Sequence, residues 1–227
     1  MKNIYKNILL VFFFLLIASA CGEDWLELEL KGSLPFSSES IDTEEKAFEV
    51  LCASYDFLQL KYVAPDYGSY ILMGDLPSDD AVPVGGGYSD RPEYWEWHHF
   101  QTTSENVALL SFWQRNYFGI YRANIVINEL GLESATMDMY RAEAKFLRAY
   151  FYFGLVRAFG NVAFYAENLS PSEYSPTNTD KAVIYEQIQK DLQEAIPVLP
   201  NKSAQSTADL TRISKGAAQA LLGKAYL

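Results

Sequence analysis

The sequence has few of the residues that the commonest catalytic and metal sites need. Its 227 residues include only two histidines and two cysteines. The histidines, His98 and His99, are adjacent, and chain neighbours seldom point at one metal ion, so they do not by themselves predict a zinc site. The sequence contains no GxxxxGK[ST] phosphate loop and no HExxH helix, and its triple glycine, residues 85–87, lies in a proline-rich stretch. The best-marked nucleotide-binding and metalloprotease classes are therefore excluded.

Long hydrophobic runs are also missing, although a short one lies near the start. Lys2 and Lys6 precede an apolar run over residues 8–17, and small residues follow directly before Cys21. The run is shorter than the roughly 20 residues of a transmembrane helix. Basic, apolar and small segments in this order predict a secretory signal peptide over residues 1–20. A cysteine directly after them resembles a bacterial lipobox, which predicts that Cys21 is lipidated; an ordinary secreted protein with a chance cysteine is the alternative.

Positive charge is scarce relative to negative charge. The chain has 18 lysines and arginines against 29 acids, a net charge of −11, and removal of residues 1–20 with their two lysines brings it to −13. Such an acidic chain is a poor binder of nucleic acid and of anionic membrane surfaces. With 49% hydrophobic and 15% aromatic residues, it nevertheless has ample material for a core.

The second cysteine, Cys52, has no partner for an intrachain disulfide if Cys21 carries lipid, so packing alone must stabilise the exported fold. We expect Cys52 to be a small buried residue rather than a reactive thiol. At helical spacing it would share a face with Phe48, Leu51 and Tyr55.

Helical periodicity dominates the chain after residue 41 and predicts an all-α fold. Asp42 and Glu45 have the spacing of a capping box at the first helix. Paired helices of this kind indicate tetratricopeptide-like packing, an α-α superhelix, although no 34-residue period repeats cleanly. The apolar face of the last helix continues to the final residue, so we expect the chain to stop inside a larger domain. The predicted helices cover about residues 43–60, 105–130 and 136–159, then one that begins after Asp180 and ends at Pro197, and one that begins at Ser214.

The predicted domain organisation follows from these elements. Residues 1–20 are the signal peptide, residues 21–41 read as an extended tether without helical period, and residues 42–227 form the helical domain. Within that domain, Arg148 and Arg157 interrupt an apolar helix. A buried guanidinium needs a carboxylate or carbonyl partner, so we expect structural ion pairs there.

Residues 62–103 have no helical period and are predicted to form a long loop, a feature that is often functional. Its aromatic residues could stack on the C–H faces of a sugar while neighbouring polar groups bind the hydroxyls. The alternative is that the rings pack the loop against the helices, since large aromatics are usually mostly buried. Trp95 and Trp97 would share a face of a short strand. The predicted binding residues are Tyr88, Asp90, Arg91, Tyr94, Trp95, Trp97 and His98, with Phe100 in the same aromatic cluster.

Two further acidic groups in this stretch have weaker interpretations. Asp75, Asp79 and Asp80 could offer oxygens to calcium, but EF-hand spacing is absent and solvated loop acids are the favoured reading. A surface glycosidase would need two positioned carboxylates, for which Glu93 and Glu96 are the nearest pair.

Six segments resemble, in this order, the N-terminal half of the SusD/RagB family of outer-membrane lipoproteins. They are CGEDWLELELKGSL, AFEVLCASYDFL, FWQRNYFGIYRANIVINEL, AEAKFLRAYFYFGLVRAFGNVAFY, IYEQIQKDLQEAIPVLP and RISKGAAQALLGKAYL. The resemblance covers almost the whole chain after Cys21, and the family's C-terminal half has no counterpart in it.

The resemblance implies a helical scaffold of tetratricopeptide-like pairs at the cell surface. It implies a binding protein without enzymatic activity or cofactor, which caps a TonB-dependent, SusC-like transporter and captures oligosaccharide or peptide nutrients. Glu23 and Asp24, directly after the lipid cysteine, resemble the export signal that sends such lipoproteins to the outer face. A docking scaffold for the transporter, without a ligand site of its own, is the alternative.

Overall fold

Apolar residues at helical spacing build nearly all of the regular structure in this protein. The computed structural model describes residues 41–59, 74–169 and 177–227. The predicted signal peptide, Cys21 and the tether up to residue 40 lie outside the described residues. In the described ranges the chain is mostly helical, which confirms the predicted all-α class. The helices are α1 (Glu44–Tyr55), α2 (Pro92–His98), α3 (Val107–Asn128), α4 (Ala135–Phe159), α5 (Lys181–Ala195) and α6 (Lys215–Tyr226).

The helices pack in sequence order around α4. Helix α3 packs on α4, α4 on α5 and α5 on α6, while α1 lies against both α3 and α4. Gly119 lies against Phe151 and Asn124 against Arg148, so α3 and α4 run antiparallel. A two-stranded antiparallel sheet, β1 (Val162–Ala163) with β2 (Asn178–Thr179), follows α4. This succession of neighbouring helices is the paired arrangement that the sequence predicts.

Helix α4 forms the centre of the core because apolar residues surround most of its circumference. Fifteen of its 25 residues are buried. Its largest buried side chains, Leu147, Phe151, Tyr152 and Leu155, contact apolar residues of the neighbouring helices in one continuous cluster. The core is thus assembled from residues far apart in sequence, with α4 as the shared wall.

Side-chain caps fix where the helices begin. Asn106, Ser134 and Asp180 accept hydrogen bonds from the first free backbone N–H groups of α3, α4 and α5. At α1 the capping-box prediction was wrong: Thr43 is the cap, and the Asp42 carboxylate instead accepts from Lys46 Nζ at 2.7 Å. The shorter Thr43 side chain sits one residue closer to the helix and reaches the Lys46 N–H at 3.2 Å.

The ion pair predicted for Arg148 is confirmed. Its guanidinium donates to both carboxylate oxygens of Asp191 at 2.7 and 2.8 Å, and the pair is almost fully buried between α4 and α5. Asn124 Oδ1 and the Ala166 carbonyl accept from Arg148 Nη1 at 2.9 and 2.8 Å. Arg157 differs, because it is exposed at the end of α4 with its guanidinium 5.3 Å from the Phe153 ring centroid.

The buried position predicted for Cys52 is wrong, because Cys52 is exposed. The buried face of α1 consists of Ala47, Val50, Leu51 and Ser54, while Phe48 is 41% exposed. A polar residue can lie on that face because Ser54 Oγ donates to the Val50 carbonyl. In the described part of the chain, no helix is both long and apolar enough to cross a membrane.

Candidate functional site

The stretch predicted as an aromatic loop contains a helix, α2, which corrects the loop assignment for residues 92–98. Pro92 occupies the first turn, where its missing N–H costs nothing, and Arg91 before it turns the chain with a φ of 69°. Tyr94 and Trp97, three residues apart, share a face that packs on the start of α3. In the sequence, a proline followed by aromatic residues three positions apart could have predicted this helix. On a helix, Trp95 and Trp97 point to different sides rather than sharing a face.

Trp97 has the packing role that was the alternative for these rings. It is 7% exposed and forms a small second cluster with Leu76 and Ala108, and Tyr94 is half-buried against that cluster. Trp97 therefore cannot offer an open face as a stacking platform. Trp97 also contributes to the lining of a neighbouring cavity.

Trp95 and the two histidines form a ring cluster on the other side of α2. Trp95 is half-buried, and its ring stacks on His99 with a centroid distance of 5.9 Å and an interplanar angle of 17°. His98 Nδ1 bonds the Leu76 carbonyl at 2.8 Å, and His99 Nδ1 bonds the Trp95 carbonyl at 2.9 Å. Across the three described ranges, no three His, Cys, Asp or Glu side chains are grouped as metal ligands.

The turn before α2 holds the remaining predicted residues. Asp90 Oδ2 accepts from the Gly86 N–H at 3.1 Å. Arg91 pairs with Glu93 at 3.0 Å, and its guanidinium lies 5.6 Å from the Tyr94 ring centroid. Tyr88 is 59% exposed. Asp90 and Arg91 thus stabilise the turn, and Tyr88 is the most accessible predicted ring.

The two acids of the glycosidase alternative have structural contacts in this arrangement. The Asn106 side-chain amide donates to the Glu93 carbonyl and to Glu96 Oε2, both at 2.9 Å. The Glu93 carboxylate pairs with Arg91. Because Asn106 is buried and also caps α3, these contacts tie α2 to the scaffold.

A cavity of about 430 Å³ lies between α2 and the adjacent ends of α3 and α4. We call it the α2 cavity. Phe100 lines it with a 77% exposed ring and a φ of 57°, a left-handed conformation that is uncommon for a bulky side chain. Backbone strain of this kind tends to cluster at functional sites. The sequence pattern placed Phe100 in the aromatic cluster but gave no signal for its backbone. The other lining residues that matter here are Trp97, Thr102, Phe112 and Arg157.

Comparisons with known proteins find relatives that share this fold and are named as SusD-like or surface glycan-binding proteins. A SusD-like protein from Bacteroides ovatus is 27% identical over 225 residues, 93% of this chain and 37% of that protein. The structure of a laminarin-binding SusD-like protein matches with a TM-score of 0.72 and 34% identity, covering 80% of this chain and 39% of the other. Surface glycan-binding protein A from Bacteroides uniformis matches with a TM-score of 0.72 and 26% identity, covering 81% and 41%.

This chain therefore spans about two fifths of the length of the relatives that it matches. The family model described as "Starch-binding associating with outer membrane" matches residues 78–227, which include α2 and every helix after it. The chain belongs to the SusD-like family.

Proposed function

We propose that this protein is a cell-surface glycan-binding lipoprotein, anchored through Cys21, that works with a TonB-dependent, SusC-like outer-membrane transporter in nutrient uptake. Membership of the SusD-like family supports the proposal, since that family's description names starch and the outer membrane. Two of the matched structures are named for laminarin binding and for surface glycan binding. Binding is the whole mechanism, and no catalytic group is required.

The observation that supports a ligand surface in this chain is the exposed Phe100 ring at the α2 cavity. A flat apolar ring held outward by its backbone loses little freedom when a sugar stacks on it. Thr102 and Arg157 line the same cavity and provide hydrogen-bonding groups. At about 430 Å³ the cavity has the size of a small-ligand site.

The predicted residues take different roles in this proposal. Tyr88 and the half-buried Trp95 do not line the α2 cavity and would offer further rings to a longer glycan. Asp90, Arg91 and His98 hold the turn and α2 in place through their hydrogen bonds. Tyr94 and Trp97 pack α2 on the start of α3.

The test is titration calorimetry of the purified full chain with laminarin and with starch. Phe100→Ala and Trp95→Ala should each weaken binding by about 1–3 kcal/mol, as expected for an aromatic anchor. Tyr226→Ala is the matched control, because Tyr226 is 59% exposed and lies far along the chain on α6. If both substitutions bind like the control, the α2 surface is not the glycan site.

A docking scaffold without a glycan site in this chain is the second candidate. Exposed apolar residues on α3, Leu110 and Phe118 at 50% and 56%, favour it because they leave a scaffold surface open to a partner. Pull-down of the transporter by the chain, with no glycan bound at any tested concentration, would support this candidate over the first.

The lipid anchor has a matched pair of variants. Cys21→Ser should abolish incorporation of labelled palmitate in cells, while Cys52→Ser should leave it unchanged. Cys52 is exposed, so it reports whether any accessible thiol is acylated. Equal labelling of the two variants would contradict anchoring at Cys21.

A further inference from the structure

A second cavity lies away from α2. It has a volume of about 530 Å³ and lies between the middle of α3 and residues 163–168. This stretch begins with the second residue of β1. We call this cavity the α3 cleft. Phe112 of α3 lines the α2 cavity, whereas the next residue, Trp113, lines the α3 cleft. The two cavities therefore use different faces of one helix. The residues that line the α3 cleft include Trp113, Tyr117, Phe118, Tyr121, Tyr165 and Glu167.

The rings inside the α3 cleft hold one another in place. Trp113 and Tyr117 have ring centroids 4.8 Å apart, and Tyr117 meets Tyr165 edge-on at 6.1 Å. Burial raises the pKa of Tyr117, so its hydroxyl stays protonated and donates to the Ala163 carbonyl at 2.7 Å. That bond joins the two walls of the cleft.

The wall formed by residues 163–168 is fixed by side chains of the scaffold. Asn124 donates to the Tyr165 carbonyl and Asn128 to the Ala166 carbonyl, each at 3.1 Å. Asn168 donates to the Tyr121 carbonyl at 3.1 Å. A stretch held at three successive points keeps its shape before a ligand arrives, which lowers the entropic cost of binding.

Two rings of the α3 cleft face solvent. Phe118 is 56% exposed and Tyr121 is 40% exposed, on successive turns of α3. Exposed rings on a rigid helix offer flat apolar faces at low conformational cost. They provide a stacking surface of the kind that the C–H face of a pyranose ring can cover.

The charged and polar side chains of the α3 cleft indicate which class of ligand it can bind. Arg122 and Glu167 contribute one charge of each sign, so the lining is neutral overall. Glu167 has an exposed carboxylate that can accept hydrogen bonds from hydroxyl groups, and Asn168 has an amide oxygen beside it. An acyl chain would make no use of these polar groups, and the lining has no net positive charge that would favour an anionic sugar.

From these observations we infer that the α3 cleft binds a neutral oligosaccharide, at a site separate from the α2 cavity. The inference goes beyond the proposed function because it depends on different residues. Stacking on Phe118 and Tyr121 provides the contact area, and Glu167 and Asn168 accept hydrogen bonds from hydroxyls.

Calorimetry of the full chain with two neutral hexasaccharides, laminarihexaose and maltohexaose, tests the inference. With at least one of them we expect two binding sites per chain. Phe118→Ala or Tyr121→Ala should weaken one site by about tenfold, equivalent to about 1.4 kcal/mol, and leave the other unchanged. Leu110→Ala is the matched control, since Leu110 is exposed on α3 but does not line the cleft.

Two further measurements keep the test decisive. Sugar binding at the α3 cleft should change the fluorescence of Trp113, so the fluorescence change should persist in Phe100→Ala and should be reduced in Tyr121→Ala. Tyr121→Phe, which keeps the ring, should bind like the wild type and so separates lost stacking from misfolding. A hexasaccharide of galacturonate should bind at least about tenfold more weakly, because the cleft offers no net positive charge and the chain as a whole has a net charge of −11.

Sugar binding by the Tyr121→Ala and Phe100→Ala variants distinguishes the α3 cleft from the proposed site at the α2 cavity. Loss of sugar binding in Tyr121→Ala but not in Phe100→Ala supports the α3 cleft and removes the α2 cavity. Loss in Phe100→Ala alone overturns the α3 cleft. Wild-type binding in Phe118→Ala and Tyr121→Ala, or capture by the cleft of a protein partner that the hexasaccharides do not displace, also overturns it.

Discussion

The helical core and the α2 segment are stabilised in different ways. In the core, α1 and α3 to α6 bury one continuous apolar cluster around α4. The α2 segment, residues 74–106, has a much smaller cluster, in which Leu76 and Trp97 pack on Ala108 of α3. Its shape depends instead on hydrogen bonds between side chains and backbone atoms: Asn106 donates to the Glu93 carbonyl, His98 bonds the Leu76 carbonyl, and Asp90 accepts from the Gly86 N–H.

This difference separates the global stability of the core from the local structure of the proposed α2 site. A core that buries many apolar residues tolerates change in an appended segment, because the segment contributes little to the shared cluster. A segment held by local polar bonds can vary its surface while the helices stay fixed. We therefore expect substitutions in the core to lower global stability and substitutions in the α2 segment to act locally.

The largest effect is expected at the buried ion pair of the core. Asp191→Ala should lower the free energy of unfolding by about 3–5 kcal/mol, because it leaves the Arg148 guanidinium buried without its carboxylate. Chemical denaturation measures this loss. Glu194→Ala is the control on the same helix, since its bond to Lys145 is at the surface and its loss should cost about 0–1 kcal/mol. Similar losses in the two variants would show that burial does not set the strength of these pairs.

A close approach of α3 and α4 gives the second prediction. A Cβ atom at Gly119 would lie 2.4–2.7 Å from three ring atoms of Phe151, so Gly119→Ala should destabilise the core by about 1–3 kcal/mol. Gly223→Ala on α6 meets no atom within 4 Å and should stabilise the protein by about 0.5–1 kcal/mol. Thermal unfolding of both variants tests the pair, and a stable Gly119→Ala would mean that the two helices can separate without cost.

Much of this core could be predicted from the sequence, because helix formation follows local rules. Periodicity predicted the existence of α1 and α3 to α6, with bounds within a few residues, and the start of α5 directly after Asp180 was predicted correctly. The buried partner of Arg148 was predicted as a carboxylate or carbonyl. Asp191 itself, 43 residues away, could not be named because long-range pairing leaves no local signal.

The errors occurred where tertiary packing chooses between local alternatives. Phe48 and Cys52 had the spacing of a buried face, but the face of α1 that packs on α3 and α4 contains the small residues Ala47 and Ser54 instead. In the predicted binding surface, seven residues close in sequence face several directions around α2 and its preceding turn. Neither the α2 cavity nor the α3 cleft was predicted, since each combines residues from separate elements.

Asn106 joins the two regions, which makes it a test of how separate they are. Asn106→Ala removes the α3 cap and both bonds to α2, so we expect a loss of about 0.5–2 kcal/mol in global stability. Hydrogen exchange of α2 amides should also accelerate. Thr103→Ala, at an exposed position nearby, should change stability by less than about 0.5 kcal/mol. Unchanged α2 exchange in Asn106→Ala would show that the small apolar cluster alone holds α2.

Replacement of Trp97 should have the smallest effect on the free energy of global unfolding, in contrast to replacement of a buried aromatic in the core. Trp97→Ala should open α2, seen as faster exchange of its amides, while the free energy of global unfolding changes by less than about 1 kcal/mol, because the segment can open locally. Phe151→Ala, an equally buried aromatic in the core, should cost about 3–5 kcal/mol. Glycan binding at the α2 cavity should fall in Trp97→Ala, while binding at the α3 cleft stays unchanged. If Trp97→Ala instead lowers global stability as much as Phe151→Ala does, α2 and the core unfold as one cooperative unit, and the α2 segment is not structurally independent of the core.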